Sequence, residues 1–360
     1  MGDIKKMADI INMKIVGVGG AGNNVVGRMI SSGISGVSYS CINTDRAALS
    51  KIGTDERVQI GEKLTKGQGA GSRPEIGRAA AEENRAAIDK LFEGVDVVFL
   101  TAGMGGGTGT GAAPVVAEAA RSAGALTIGV VSMPFKWEGA RKMRTAEAGV
   151  QELLKKVDTL FVIPNDNIRK VSEQKVTLAG GFTISEEILL RAVGGIAQVL
   201  RGVGFINLDF ADMKNTLKES GLAHLGIGEA SGKSKVEEAA ATAMQNLLME
   251  TSVEGAKRLI VNVNISQDTE LDDVTALMDR IEQAAHDDAN IIFGCGFDEN
   301  LVDAIRVIVI ATDYEDGAEV KSTASRADER RAPAKEGTPA SAEKKSADDE
   351  WEAKWKSFFE

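Results

Sequence analysis

Short apolar runs alternate with amphipathic stretches along roughly the first 165 residues of the chain. The runs "KIVGVG", "VSYSCINT", "RVQIG", "VDVVFLTA", "LTIGVVSMP" and "TLFVIPND" are short and rich in β-branched residues, which predicts strands. Between them, "NNVVGRMISSG", "RPEIGRAAAEENRAAIDKLFEG", "GAAPVVAEAARSAG" and "ARKMRTAEAGVQELLKKV" place apolar residues at helical spacing. This alternation predicts a Rossmann-like α/β fold, a mostly parallel sheet covered on both faces. Ligands in that architecture sit at the carboxyl ends of the strands.

The pattern then changes. Residues 184–201, "ISEEILLRAVGGIAQVLR", read as one long, largely buried helix. "HLGIGEAS", "KVEEAAATAMQNLLM", "RLIVNVNIS", "DDVTALMDRIEQAAH", "NIIFGCGF" and "AIRVIVIAT" predict a second, smaller α/β layer that ends near Asp313. The expected division is an extension at 1–12, a first domain at 13–180, a central helix at 181–203 and a second domain at 204–314. From Glu315 to Glu350 the only sizeable apolar side chain is Val320, so a disordered linker is expected over 315–347. Residues 348–360, "DDEWEAKWKSFFE", space Trp351, Trp355, Phe358 and Phe359 as one aromatic face of a helix. That composition predicts a docking peptide rather than an unstructured end.

Composition narrows the function classes. The chain is 43% hydrophobic and 26% charged, an ordinary globular balance, with a formal net charge of -11 that repels nucleic acid. Cys41 and Cys295 lack nearby metal-ligand partners, as expected of buried thiols in a reducing compartment. The start "MGDIKKMADIINMK" has no signal-peptide pattern, and no apolar run is long enough to insert in a membrane, so a cytoplasmic location is expected.

Candidate chemistry lies in three glycine-rich stretches. "GVGGAGNN", from Gly17, joins a strand to a helix and satisfies G-x-G-x-x-G, with Asp45 at the end of the next strand. That pair also fits an NAD-dependent dehydrogenase. "GMGGGTGTGAAP", from Gly103 to Pro114, again joins a strand to a helix. Glycines there bring N–H groups to phosphate oxygens, Thr108 and Thr110 can add hydroxyl donors, and Pro114 is expected early in the helix. The alternative is a flexible linker. Two cradles at the ends of two parallel strands point to a nucleoside triphosphate gripped from both sides. "GEASGKS", from Gly228, resembles a phosphate-binding loop, but Ile227 stands where the first glycine should be, so a solvated turn is expected.

Together "GVGGAGNNVV", "INTD", "GAGSRPEIG", "GGGTGTGAAP", "IPND" and "NLDFADMK" closely resemble the FtsZ family of tubulin-related GTPases, in order, from about Lys14 to Asp313. The resemblance implies GTP/GDP with Mg2+, a monovalent cation at the subunit interface, and a head-to-tail homopolymer at the division site. It places Gly20, Ala21, Gly22, Asn23 and Asn24 against the nucleotide, and Gly103, Gly105, Gly106, Gly107, Thr108, Gly109 and Thr110 around the phosphates. Ala70 and Gly71 border the γ-phosphate, while Asp45 and Asn165 belong to the same pocket. Glu138 and Lys142 contact the ribose side, Phe182 lies against the base, and Glu186 reads guanine. Most members of the family carry Arg at the position of Lys142 and usually Asp or Asn at that of Glu186; Arg141 and Glu187 are the neighbouring alternatives. Asn207, Asp209 and Asp212 are implied to act on the nucleotide of the next subunit, although such residues also commonly cap helices. The terminal peptide is implied to bind membrane tethers or division regulators. A non-hydrolysing nucleotide-binding scaffold is the remaining alternative.

Overall fold

A computed structural model describes residues 11–314, apart from 35, 55, 172–176, 202, 203, 247 and 250. The expected linker over 315–347, the terminal peptide and most of the N-terminal extension lie outside the described residues.

The strands β1 (Met13–Val18), β2 (Val37–Asn43), β3 (Glu56–Gln59), β4 (Val97–Gly103), β5 (Leu126–Met133), β6 (Thr159–Pro164) and β7 (Gly221–Leu222) form one sheet, ordered β3-β2-β1-β4-β5-β6-β7. Every neighbouring pair is parallel. Six of these strands are the predicted ones. β7, two residues long, is too short to leave a periodic signal.

Eight helices of eight or more residues occur among the described residues: α1 (Gly19–Ser32), α2 (Pro74–Glu83), α3 (Thr108–Ser122), α4 (Ala140–Leu154), α5 (Leu178–Arg201), α6 (Phe210–Leu217), α7 (Lys235–Met244) and α8 (Leu271–Ala284). Side chains of a strand alternate faces, and here both faces are buried. Ile15, Phe99, Ile128 and Phe161 pack with α1 and α5, whereas Val16, Leu100 and Val131 pack with α2, α3 and α4.

A second sheet of β8 (His224–Ser231), β9 (Ala256–Ile265), β10 (Asn290–Phe297) and β11 (Ala304–Tyr314) is ordered β10-β9-β11-β8. β10 runs parallel to β9, and β11 runs antiparallel to β9 and β8. Its one face packs on α7 and α8. Its other face contributes Leu225, Ile260, Ile308 and Ile310 to the cluster that holds Leu189, Val193 and Ile196 of α5. The long helix is therefore wedged between both sheets.

Two sequence expectations need correction. The sequence from Arg73 to Gly94 predicts one continuous helical pattern, but α2 stops at Glu83 because Asn84 leaves helical geometry and accepts a hydrogen bond from Gly61 N at 2.8 Å. Pro114 is not early in its helix. The glycine-threonine stretch itself winds the first turn from Thr108, so Pro114 falls in the interior, and the carbonyl of Thr110 loses its usual N–H donor. Both cysteines are buried, and burial pushes the Cys41 thiol up to about 12, against the opposing pull of Arg57.

His224 is fully buried where β8 meets α7. Its Nε2 lies 3.2 Å from the Ala243 carbonyl and its Nδ1 2.9 Å from the Thr251 hydroxyl. A neutral ring satisfies both, with Nε2–H donating and Nδ1 accepting. Burial lowers its pKa to about 4, outweighing those hydrogen bonds, which act to raise it. The unfolded chain therefore takes up a proton near pH 6.5 that the folded chain refuses until about 4. This contribution to stability is complete above pH 6.5 and drains away by roughly 3 kcal/mol as pH falls to about 4. Urea unfolding followed from pH 7 to 4 is expected to show this slope in the native chain and a flatter one in His224→Gln.

Candidate functional site

The two glycine-rich loops leave adjacent strands. Parallel pairing sets Val18 of β1 beside Ala102 of β4, so both loops emerge at the same edge. They touch there: a Cβ on Gly19 would come within 2.7 Å of Gly109 N. Neither α1 nor α3, which follow directly, has a side-chain cap at its N-terminus. Their first N–H groups are thus free of side-chain acceptors and face the region where the loops converge, an arrangement suited to anionic oxygens. The linker alternative for Gly103–Pro114 fails, because most of that stretch is buried between β4 and α3.

A cleft of about 390 Å³ opens over the loops. Gly20, Ala21, Asn24, Gly103, Gly106, Gly107, Thr108 and Gly109 line one side; Glu138, Lys142, Asn165, Phe182 and Glu186 line the rest. The remaining expected residues take different positions. Gly22 is buried at the root of α1, where a Cβ would strike the Thr101 carbonyl at 2.3 Å. Asn23 is buried, its amide nitrogen oriented to donate to the carbonyls of Gly19 (2.7 Å), Gly17 (2.9 Å) and Ile42 (3.2 Å). It straps the first loop to the sheet. Thr110 accepts from Gly105 N at 2.9 Å and so closes the second loop rather than opening a hydroxyl to the cleft. Ala70 stands behind Gly107, and Gly71 continues that turn with φ +59°. Asp45 caps a short helical turn by accepting from Ala48 N at 2.9 Å and does not line the cleft, which removes the acidic residue a dinucleotide reader needs.

The two named alternatives also face elsewhere. Arg141 opens onto a separate groove with Arg78 and Arg144, while Glu187 pairs with Arg191 at 2.7 Å beside the second sheet. Lys142 instead reaches the carboxylate of Glu138, whose other oxygen accepts from Phe135 N at 2.9 Å. At the opposite wall, Phe182 lines the cleft and packs with Phe135 and Trp137 behind it, with centroids 5.5 to 6.1 Å apart. Sequence reasoning missed Phe135 and Trp137, and also Thr44, whose hydroxyl meets that of Thr108 at 2.6 Å. The adjacency of "INTD" to the second loop depends on the strand order, which no local motif carries.

Asn207, Asp209 and Asp212 lie at the far end of α5. Asn207 accepts from Gly204 N at 2.7 Å, Asp209 caps α6 through Ala211 N at 2.8 Å, and Asp212 stands exposed in the first turn. Ile206 bridges to Cys295 of β10, which pins this segment to the second sheet. At about 1.5 Å per residue, the helical rise from Glu186 to Arg201 is about 22 Å. One chain does not bring the acidic loop to its own cleft.

Comparison with known proteins accounts for both halves. The model of the Tubulin/FtsZ family GTPase domain matches residues 12–173, and that of the FtsZ family C-terminal domain matches residues 221–315. A protein named cell division protein FtsZ, from Magnetospirillum gryphiswaldense, is 47% identical over 299 residues, 83% of this chain. The chain belongs to the FtsZ family. It spans 53% of the length of that relative. The FtsZ dimer of M. jannaschii superposes with a TM-score of 0.78 at 38% identity, over 84% of this chain and 88% of that one. CetZ2 from Haloferax volcanii, solved as a GTPγS-bound protofilament, shares the fold with a TM-score of 0.72 at 23% identity, over 88% and 97% of the two chains.

Gly105 alone among the glycines of the second loop adopts a positive φ. Its φ is +96°, and a Cβ there would lie 2.8 Å from Lys142 Cγ. Gly105→Ala must distort the loop at a cost of about 1–2 kcal/mol. The expected outcome is a roughly tenfold loss of affinity for GDP by calorimetric titration, with an unchanged circular dichroism spectrum.

Proposed function

We propose that the chain binds and hydrolyses GTP and assembles head to tail into filaments at the division site, each cleft being completed by the acidic loop of the next copy. The observation that carries this reading is the separation of two incomplete halves along α5. One half offers two uncapped helix N-termini, glycine loops and an aromatic wall with Glu186. The other offers exposed carboxylates and no phosphate cradle. In this reading residues 13–180 hold the nucleotide together with Phe182 and Glu186 of α5, and residues 204–314 act on that of a neighbour.

Hydrolysis of a phosphoanhydride needs a positioned water and compensation of phosphate charge. Backbone N–H groups at the starts of α1 and α3, with the Thr108 hydroxyl, bind the phosphate oxygens. Glu186 accepts from the N–H groups of guanine, which adenine does not present in that pattern. Asp209 and Asp212 of the next copy orient and polarise the water. Among the described residues no group of three or more His, Cys, Asp or Glu can hold a metal by itself. In this reading Mg2+ would supply compensation of phosphate charge in the cleft, and a monovalent cation would act at the interface near Asp209 and Asp212. Lys142 and Glu138 hold one another at the ribose side.

Both ends expose apolar side chains suited to self-association. Trp137 is 58% exposed at the cleft, and Phe205 and Phe297, 76% and 54% exposed, pack together beside the acidic loop. A heterologous contact between two such faces propagates instead of closing. Residues 348–360 complete the reading as a docking peptide for a membrane tether or division regulator.

Phosphate release measured against protein concentration tests the proposal. Turnover per chain should rise cooperatively above a threshold; equal turnover per chain in dilute monomer overturns it, and no turnover leaves a binding scaffold. Asp212→Ala should bind GTP and assemble yet turn over at least about a hundredfold more slowly. Mixed with the cradle variant Thr108→Arg, it should regain part of the activity, because one interface then carries an intact cleft and an intact loop. No recovery on mixing would place the reaction within one chain. Deletion of Asp348–Glu360 should leave turnover unchanged and abolish recruitment to the membrane, as followed by fluorescence microscopy.

A further inference from the structure

Glu186 is a long carboxylate with three rotatable side-chain bonds, and the structure shows what restrains it. Two residues of α1, Asn24 and Arg28, stand one helical turn apart and reach across to α5 at the same carboxylate. Asn24 Nδ2 donates to Glu186 Oε1 at 3.1 Å, and Arg28 Nε donates to Oε2 at 2.5 Å. The carboxylate is largely shielded, with its side chain 19% exposed, while the Arg28 side chain is 41% exposed at the rim. Asn24 and Glu186 line the cleft and Arg28 does not, so Arg28 works from behind.

We propose that Arg28 is a positioning residue for base selection: it fixes the long side chain of Glu186 so that its two oxygens face the guanine edge. This inference rests on the reading of the cleft as a guanine nucleotide site. Each carboxylate oxygen has two acceptor directions. The bonds from Asn24 and Arg28 occupy one direction on each oxygen and leave the second for the ring N–H and the exocyclic amine of guanine. Without Arg28 only the longer bond from Asn24 restrains the terminal torsion of Glu186, and binding a base must complete its ordering at the expense of affinity. The guanidinium also places a counter-charge directly against the carboxylate. Arg28 makes its contact through Nε, which the planar guanidinium holds in a fixed direction; Lys at this position keeps the charge on a more flexible stem.

The test uses the full chain with GDP and IDP, which differ only in the exocyclic amine and are not hydrolysed. The native chain should prefer GDP by about tenfold or more, as expected for a hydrogen bond to a charged acceptor. Arg28→Ala should weaken GDP binding roughly tenfold and narrow the GDP-to-IDP ratio about threefold or more, with Arg28→Lys between the two. In a Glu186→Ala background the Arg28→Ala change should cost nothing further, because its only route to the base is gone. An unchanged thermal midpoint for Arg28→Ala separates this from general destabilisation. Equal losses for GDP and IDP, or an undiminished loss in the Glu186→Ala background, overturns the positioning role while leaving the GTPase reading intact. A native chain that binds neither nucleotide overturns both.

Discussion

Parallel pairing of β1 with β4 is the constraint on which the cleft depends. The strand order reverses between them: β2 and β3 extend to one side, and β5 and β6 to the other. Connections on either side of such a point diverge, and a crevice opens at the carboxyl ends of the strands. The register then brings two glycine loops, remote in sequence, into contact at Gly19 and Gly109. Two helix N-termini face the same space as a consequence of topology, without a basic side chain at either. An acidic protein can hold polyphosphate in this way because the donors are backbone groups. β5 and β6 complete the enclosure by delivering Ser132 and Asn165 to the cleft wall.

The second determinant is α5. Its buried residues belong to one continuous apolar cluster that includes Ile15 and Phe99 of the first sheet and Ile260 and Ile310 of the second. A helix buried on two sides is held by packing along its length, and close-packed interiors deform little. The residues near its start, Phe182 and Glu186, are therefore kept at a fixed distance from the acidic loop beyond its end. The bridge between Ile206 and Cys295 extends that rigidity to the loop itself. The spacing that keeps one chain inactive in the proposed mechanism is thus a property of the core.

Much of this was legible from the chain. Strands longer than three residues were marked by apolar runs, and the glycine loops by composition at strand ends. What escaped was set by tertiary contacts. Asn84 breaks a helical pattern because its side chain caps Gly61, 23 residues earlier. Thr110 and Asn23 sit inside phosphate-loop motifs, yet their polar atoms turn inward to brace the loops. Arg141 and Lys142 are indistinguishable as charges in the sequence; the helical rotation of about 100° between them sends one to the cleft and the other to a different groove. Glu186 and Glu187 divide in the same manner. Arg28 has no motif at all, and only the packing of α1 on α5 places it beside Glu186.

Dividing a site between two copies carries a structural requirement: both faces must remain exposed in the single chain. In the proposed reading the protein meets it with few side chains at each end. Trp137 and Phe182 stand at the cleft, and Phe205, Ile206 and Phe297 beside the acidic loop. An interface that buries little area is weak and reversible. Weak contacts suit an assembly that must also come apart, because the loss of one phosphate can then shift the balance. A larger apolar face would bind more tightly but would resist release and invite aggregation. In the proposed reading, the modest exposure at both ends and the division of the site are therefore two aspects of one solution, in which the contact that completes the chemistry is weak enough to be undone by its product.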